Sequence, residues 1–128
     1  MMQPTLPRSK TRSGAAYVAR GDGGETIVLI HGVGMRIEAW GPQIDYLARE
    51  CRVIAVDLPG HGESAPLEQS RETPAQLGHF VAWFRTVLED LALEDLGSGP
   101  VNVAGHSMGA LIATGIAAGH APVSSTKP

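Results

Sequence analysis

A chain of 128 residues is long enough for one domain with a modest core and too short for two. Its 43% hydrophobic and 18% charged residues match a globular protein, and a formal net charge of −3 leaves no basic footprint for nucleic acid. The longest aliphatic run, Ile27 to Ile30, is far short of the roughly 20 residues of a bilayer span, and the single cysteine, Cys51, excludes an intrachain disulfide or a cysteine-rich zinc site. Cysteine usage and the absence of a secretory pattern fit a cytoplasmic setting.

In chain order, residues 1–13 carry Arg8, Lys10 and Arg12 and are interrupted by Pro4 and Pro7, so they read as a flexible, basic, solvated tail. Gly14 to Ala19 is a weak opening strand. Thr26 to Ile30 and Arg52 to Val56 are short, aliphatic and β-branched, the pattern of strands buried on both faces, and Val101 to Ala104 is a third of this kind. Helices are expected between them, over Ile37 to Glu50 and Pro74 to Leu93. In the second, Leu77, Phe80, Val81, Phe84, Leu88 and Leu91 recur at helical spacing. Met108 to Ala118 is small and apolar, suited to a helix packed under a sheet. Residues 122–128 have no periodicity and read as a disordered end. Strand alternating with helix predicts an α/β fold over residues 14–121, with a mostly parallel sheet and crossover helices.

Three motifs follow the three main strands. Gly105-His106-Ser107-Met108-Gly109 is Gly-x-Ser-x-Gly at a strand-to-helix turn, where small neighbours let a strained serine project its Oγ and a helix N-terminus faces the developing oxyanion. Ser107 is the candidate nucleophile and Met108 N–H a candidate oxyanion donor. His31-Gly32-Val33-Gly34 follows the first buried strand and offers Val33 N–H as a second donor. The His31 side chain is read as part of a tight turn. A dinucleotide loop is excluded because position 37 is Ile where the third glycine would stand. Asp57-Leu58-Pro59-Gly60-His61-Gly62-Glu63-Ser64 follows the second buried strand and reads as a turn with a negative charge at a strand end.

Together these motifs resemble the N-terminal half of the α/β-hydrolase fold over roughly residues 15–119, and among its members the small bacterial lactonases, carbon–carbon bond hydrolases, esterases and non-haem haloperoxidases. The resemblance implies Ser107 as nucleophile, Met108 and Val33 amides as oxyanion donors, and Asp57, Gly60 and Gly62 as a structural loop. It implies no cofactor, and a small-molecule ester, lactone or C–C substrate attacked through an acyl-serine. Ser107 stands where dehalogenases and epoxide hydrolases of the family carry an aspartate.

The chain departs from that pattern after Ser107, where the family places its acid and then its histidine. No Asp or Glu follows Ser107, and the one later histidine, His120, lies at the far end of the expected helix, roughly 20 Å away. His106 is expected to point elsewhere, because neighbouring strand residues alternate faces. His79 reads as solvated, and His31 and His61, on the rim, are the only conceivable substitutes for the base. The expectation is a truncated α/β-hydrolase fold with a serine site that reacts poorly alone. The alternative is a non-catalytic binding or assembly module that self-associates through an exposed sheet edge. Met35 and Trp40 are candidates for substrate contact.

Overall fold

The computed structural model describes residues 5–67, 75–96 and 99–119. Among the described residues five strands form one sheet in the order β1-β2-β4-β3-β5, with β1 Ser9–Lys10, β2 Ala16–Arg20, β3 Glu25–Ile30, β4 Cys51–Val56 and β5 Asn102–Gly105. The chain crosses from β3 to β4 through α1 (Gly41–Leu47) and from β4 to β5 through α2 (Leu77–Leu91), and α3 (Met108–Ala117) follows β5.

Strands β4, β3 and β5 are parallel, as the strand–helix alternation predicts, whereas β2 runs antiparallel to β4 and β1 antiparallel to β2. The sheet is therefore mixed. The direction of β2 follows from connectivity: the short connection between Arg20 and Glu25 reverses the chain, so β2 runs opposite to β3 and hence to β4, which lies between them parallel to β3.

Alternation along the strands divides the core into two layers. Val28, Ile30, Ile54 and Val56 pack with Phe84, Val87, Leu91 and Ile112 beneath α2 and α3. Leu29, Val53, Ala55 and Val18 pack with Ile37 and Ile44 on the α1 side. Both faces are covered, which is why β3 and β4 read as continuous apolar runs.

The helix expected over Ile37 to Glu50 is split into a 3₁₀ turn, Ile37–Trp40, and α1. Pro42 sits in the first turn of α1, where its missing N–H costs nothing, so the helix restarts at Gly41-Pro42. Helix α2 starts at Leu77, three residues inside its expected range, and continues as a π-helical turn over Ala92–Leu96. His79, expected to be solvated, caps α2: Gln76 N–H donates to His79 Nδ1 at 2.8 Å. Residue 74, His120 and residues 122–128 lie outside the described residues.

The solvated tail expected over residues 1–13 is corrected from Leu6 onward. Arg8 has a fully buried side chain that bridges Glu38 and Asp57, and its Nε donates to Asp57 Oδ2 at 2.9 Å. Ser13 donates to Asp90 Oδ2 of α2 from both its amide, at 3.1 Å, and its hydroxyl, at 2.7 Å. Basic composition alone could not anticipate this, since it does not reveal which cation a buried carboxylate will recruit.

Candidate active site

Register brings the three motifs to one edge of the sheet. Ile30 pairs with Val56 on one side and Gly105 on the other, so β3, β4 and β5 end level. The His31, Asp57 and His106 turns all leave from that line, at the carboxyl ends of parallel strands where open α/β sheets bind ligands.

Ser107 is the one non-glycine residue with positive φ among the described residues, at φ 58° and ψ −117°. It is exposed, and its hydroxyl has no hydrogen-bond partner among the described residues. Holding that backbone state costs of order 1–3 kcal/mol, which the surrounding packing must offset. The flanking glycines make the close approach possible: a Cβ on Gly105 would sit 2.2 Å from the Gly109 carbonyl, and one on Gly109 would sit 2.1 Å from Ile30 O. The His106 amide donates to Ile30 O at 3.0 Å, extending the β3–β5 ladder to the residue before the serine.

Helix α3 begins at Met108, directly after Ser107. Neither Met108 N–H nor Val33 N–H has an acceptor among the described residues, and Val33 is 63% exposed. A Cβ on Gly32 would lie 3.0 Å from Ser107 Cβ and 3.3 Å from the His106 ring, so the Gly32-Val33-Gly34 turn abuts the serine. Two amides at neighbouring turns with no acceptor of their own are suited to an anionic oxygen.

Both rim histidines are already occupied. His31 is 1% exposed; its Nε2 accepts Leu58 N–H at 3.0 Å, and its Nδ1 donates to Gly32 O at 2.8 Å. His61 Nε2 accepts Gly34 N–H at 2.9 Å, and its Nδ1 donates to Pro59 O at 2.9 Å. Neither ring offers a free nitrogen to Ser107, which removes the two conceivable substitutes for the base.

Asp57 is buried and joins four segments. It accepts from Arg8, from Ile37 N–H at 2.9 Å and from Glu63 N–H at 3.0 Å, and His31 Nε2 lies 3.7 Å away. Burial pushes its carboxyl up, but Arg8 and the Glu63 and Ile37 amides outweigh burial and hold it below the usual carboxylate range. Arg8 draws Glu38 down to about 2 against its own partial burial. Ser64 completes the loop: it donates to Asp57 O at 2.7 Å and accepts Ala16 N–H at 2.8 Å. The structural reading of Asp57 was legible; its partners Arg8, Glu38 and Ser64 were not, because they meet only across segments far apart in sequence.

His106 lines a cavity of about 200 Å³ with His31, Met35, Ala39, Trp40 and Gln43, a lining that does not include Ser107. Met35 and Trp40 thus share one cavity beside the turn. Among the described residues no group of three or more His, Cys, Asp or Glu side chains converges as metal ligands would, and no helix is long and apolar enough to cross a membrane.

Comparison with known proteins gives one consistent family. The pattern of the alpha/beta hydrolase family matches residues 27–126. The chain is 48% identical over 116 residues to (E)-2-((N-methylformamido)methylene)succinate hydrolase of Acinetobacter baylyi, covering 91% of this chain and 40% of that protein. It is 39% identical over 101 residues to the dihydrolipoyllysine-residue acetyltransferase component of the acetoin cleaving system of Cupriavidus necator, covering 79% and 25%. Among solved structures, the enol-lactonase of Burkholderia xenovorans superposes with a TM-score of 0.71 at 25% identity, over 89% of this chain and 42% of that one. An alpha/beta superfamily hydrolase of Oenococcus oeni gives 0.74 at 24% identity, over 90% and 40%, a likeness of fold. The chain thus spans less than half the length of each of these proteins.

Proposed function

Because this chain belongs to the alpha/beta hydrolase family, we propose that it carries the nucleophile and oxyanion-binding half of a serine hydrolase site. Ser107 Oγ attacks a carbonyl carbon, and the Met108 and Val33 amides receive the charge that develops on the oxygen. The leaving group departs with a proton, and water then releases the acyl group from Ser107. The observation that carries this reading is the positive φ of Ser107 between β5 and α3, with its hydroxyl exposed and unbonded among the described residues. Such strain, kept at an exposed serine, is expected where the conformation serves the chemistry.

On this reading neither rim histidine is the base that takes the Ser107 proton, since neither has a free nitrogen. Without a base, the amides and binding alone leave a residual of about 10³- to 10⁴-fold over water. The substrate class we propose is a small ester, lactone or C–C compound, in line with relatives named as a methylenesuccinate hydrolase and an enol-lactonase. The cavity of about 200 Å³ beside Met35 and Trp40 suits a small acyl group. A cytoplasmic setting is part of the proposal and rests on the single cysteine, Cys51.

Treatment with a fluorophosphonate probe tests the site. Slow labelling confined to Ser107 and abolished by Ser107→Ala is expected; labelling that survives this substitution overturns the assignment. A second reading, self-association, rests on β5 standing at the end of the strand order. Light scattering should then give a dimer or larger species, and a monodisperse monomer would remove this reading.

A further inference from the structure

The histidine of the loop after β4 has no role in the chemistry proposed above, yet it reaches across to the turn that bears Val33. We propose that His61 is a positioning residue that clips the oxyanion turn in place; this rests on the reading of Val33 N–H as an oxyanion donor.

The turn from His31 to Ile37 is tied at three points. At its start, His31 is fixed by Leu58 N–H and by Gly32 O. At its end, Ile37 N–H donates to the buried Asp57 carboxylate at 2.9 Å. Between these ties lies the exposed stretch Val33 to Arg36, crossed by a backbone bond from Met35 N–H to Gly32 O at 3.1 Å. The side chain that reaches into this stretch is His61, whose Nε2 accepts Gly34 N–H at 2.9 Å. Gly34 adjoins Val33, so the His61 ring fixes the peptide next to the amide that must face the oxyanion.

His61 is itself held for this task. Its Nδ1 donates to Pro59 O at 2.9 Å, which leaves the lone pair on Nε2 and makes that nitrogen an acceptor. Its ring also lies against His31, with centroids 5.4 Å apart and planes tilted by 50°. Two rings from two strand ends thus brace one turn. An amide that must be aligned before charge develops loses rate, and not affinity, when it is free to rotate away, since a hydrogen bond made in the transition state depends on preorganisation.

Two substitutions separate the clip from general packing. His61→Asn keeps a donor at the Nδ1 position and removes the Nε2 acceptor, whereas His61→Gln places an acceptor at the Nε2 reach. Two measurements are made on each protein: the Gly34 amide resonance in a ¹H–¹⁵N spectrum, and the rate of Ser107 phosphonylation by a fluorophosphonate, resolved into maximal rate and half-saturating probe concentration. His61→Asn is expected to move the Gly34 resonance upfield and to lower the maximal rate about tenfold or more with half-saturation unchanged. His61→Gln is expected to restore both to near wild type. A Gly34 resonance unmoved in His61→Asn, or equal maximal rates in all three proteins, overturns the proposal. Wild-type protein that does not label at all strikes at the Ser107 reading, and the Gly34 resonance then decides the clip by itself.

Discussion

Ser107 combines a positive φ with a side chain, a pairing that costs free energy which glycine would not incur. Ser107→Gly is therefore expected to be more stable than Ser107→Ala by about 1 kcal/mol, although both remove the hydroxyl. Chemical denaturation of the two variants measures this, and an alanine variant at least as stable as the glycine variant would show that no strain is stored there. Ser107 was legible because Gly-x-Ser-x-Gly between a strand and a helix is a local pattern. The commitments of His31 and His61 were not, because their partners Leu58 and Gly34 lie 27 residues away in sequence. A histidine whose two nitrogens are both occupied looks, in sequence, the same as one that is free.

Elements β3, β5 and α3 meet at Gly109, where no side chain fits between helix and strand. A Cβ there would come within 2.1 Å of Ile30 O, so Gly109→Ala must push α3 away from β3. The expected cost is about 1–3 kcal/mol of stability, with loss of Ser107 labelling as α3 shifts. A fully stable, fully reactive Gly109→Ala protein would contradict this packing. Strands β3 and β4 were readable as apolar runs, whereas β5, read as a third of that kind, stands at the end of the sheet with no residue fully buried. Helix α2 was readable from the helical spacing of Leu77, Phe80, Val81, Phe84, Leu88 and Leu91, of which Val81, Phe84 and Leu91 are buried. Residues 37–50 misled, because the periodicity of Ile37, Ile44 and Leu47 continues across Gly41-Pro42 while the helix itself restarts there. Burial pattern survives a break in hydrogen bonding, so pattern alone does not reveal the break.

For the molecule as a whole, the segment from Leu6 to Ser13 ties the sheet's end to α2, and the buried cluster of Arg8, Glu38 and Asp57 is its anchor. Arg8→Ala leaves the buried Asp57 without its arginine and Glu38 with only the half-exposed Arg36, at an expected cost of about 3–5 kcal/mol near neutral pH. Glu38 and Asp57 both have depressed folded-state values. The stability they contribute is complete above their unfolded values of about 4 and is lost as pH falls toward 2. Arg8 is raised, but it is charged in both states throughout this range and adds no slope. Wild-type denaturation midpoints should therefore fall between about pH 4.5 and 2. The deficit of Arg8→Ala should narrow over the same window as the unpaired carboxylates take up protons. A deficit that stays constant with pH would mean that the cluster contributes no net charge pairing. The sequence by itself determined the strand–helix alternation, the buried strands and the serine turn, since each depends on residues adjacent along the chain or on a short period. Only the tertiary structure decided the pairing of β2 with β4, the burial of Arg8 and the engagement of both rim histidines. Each of these depends on which distant groups can satisfy a buried charge or an unpaired amide, and that is fixed by packing in three dimensions.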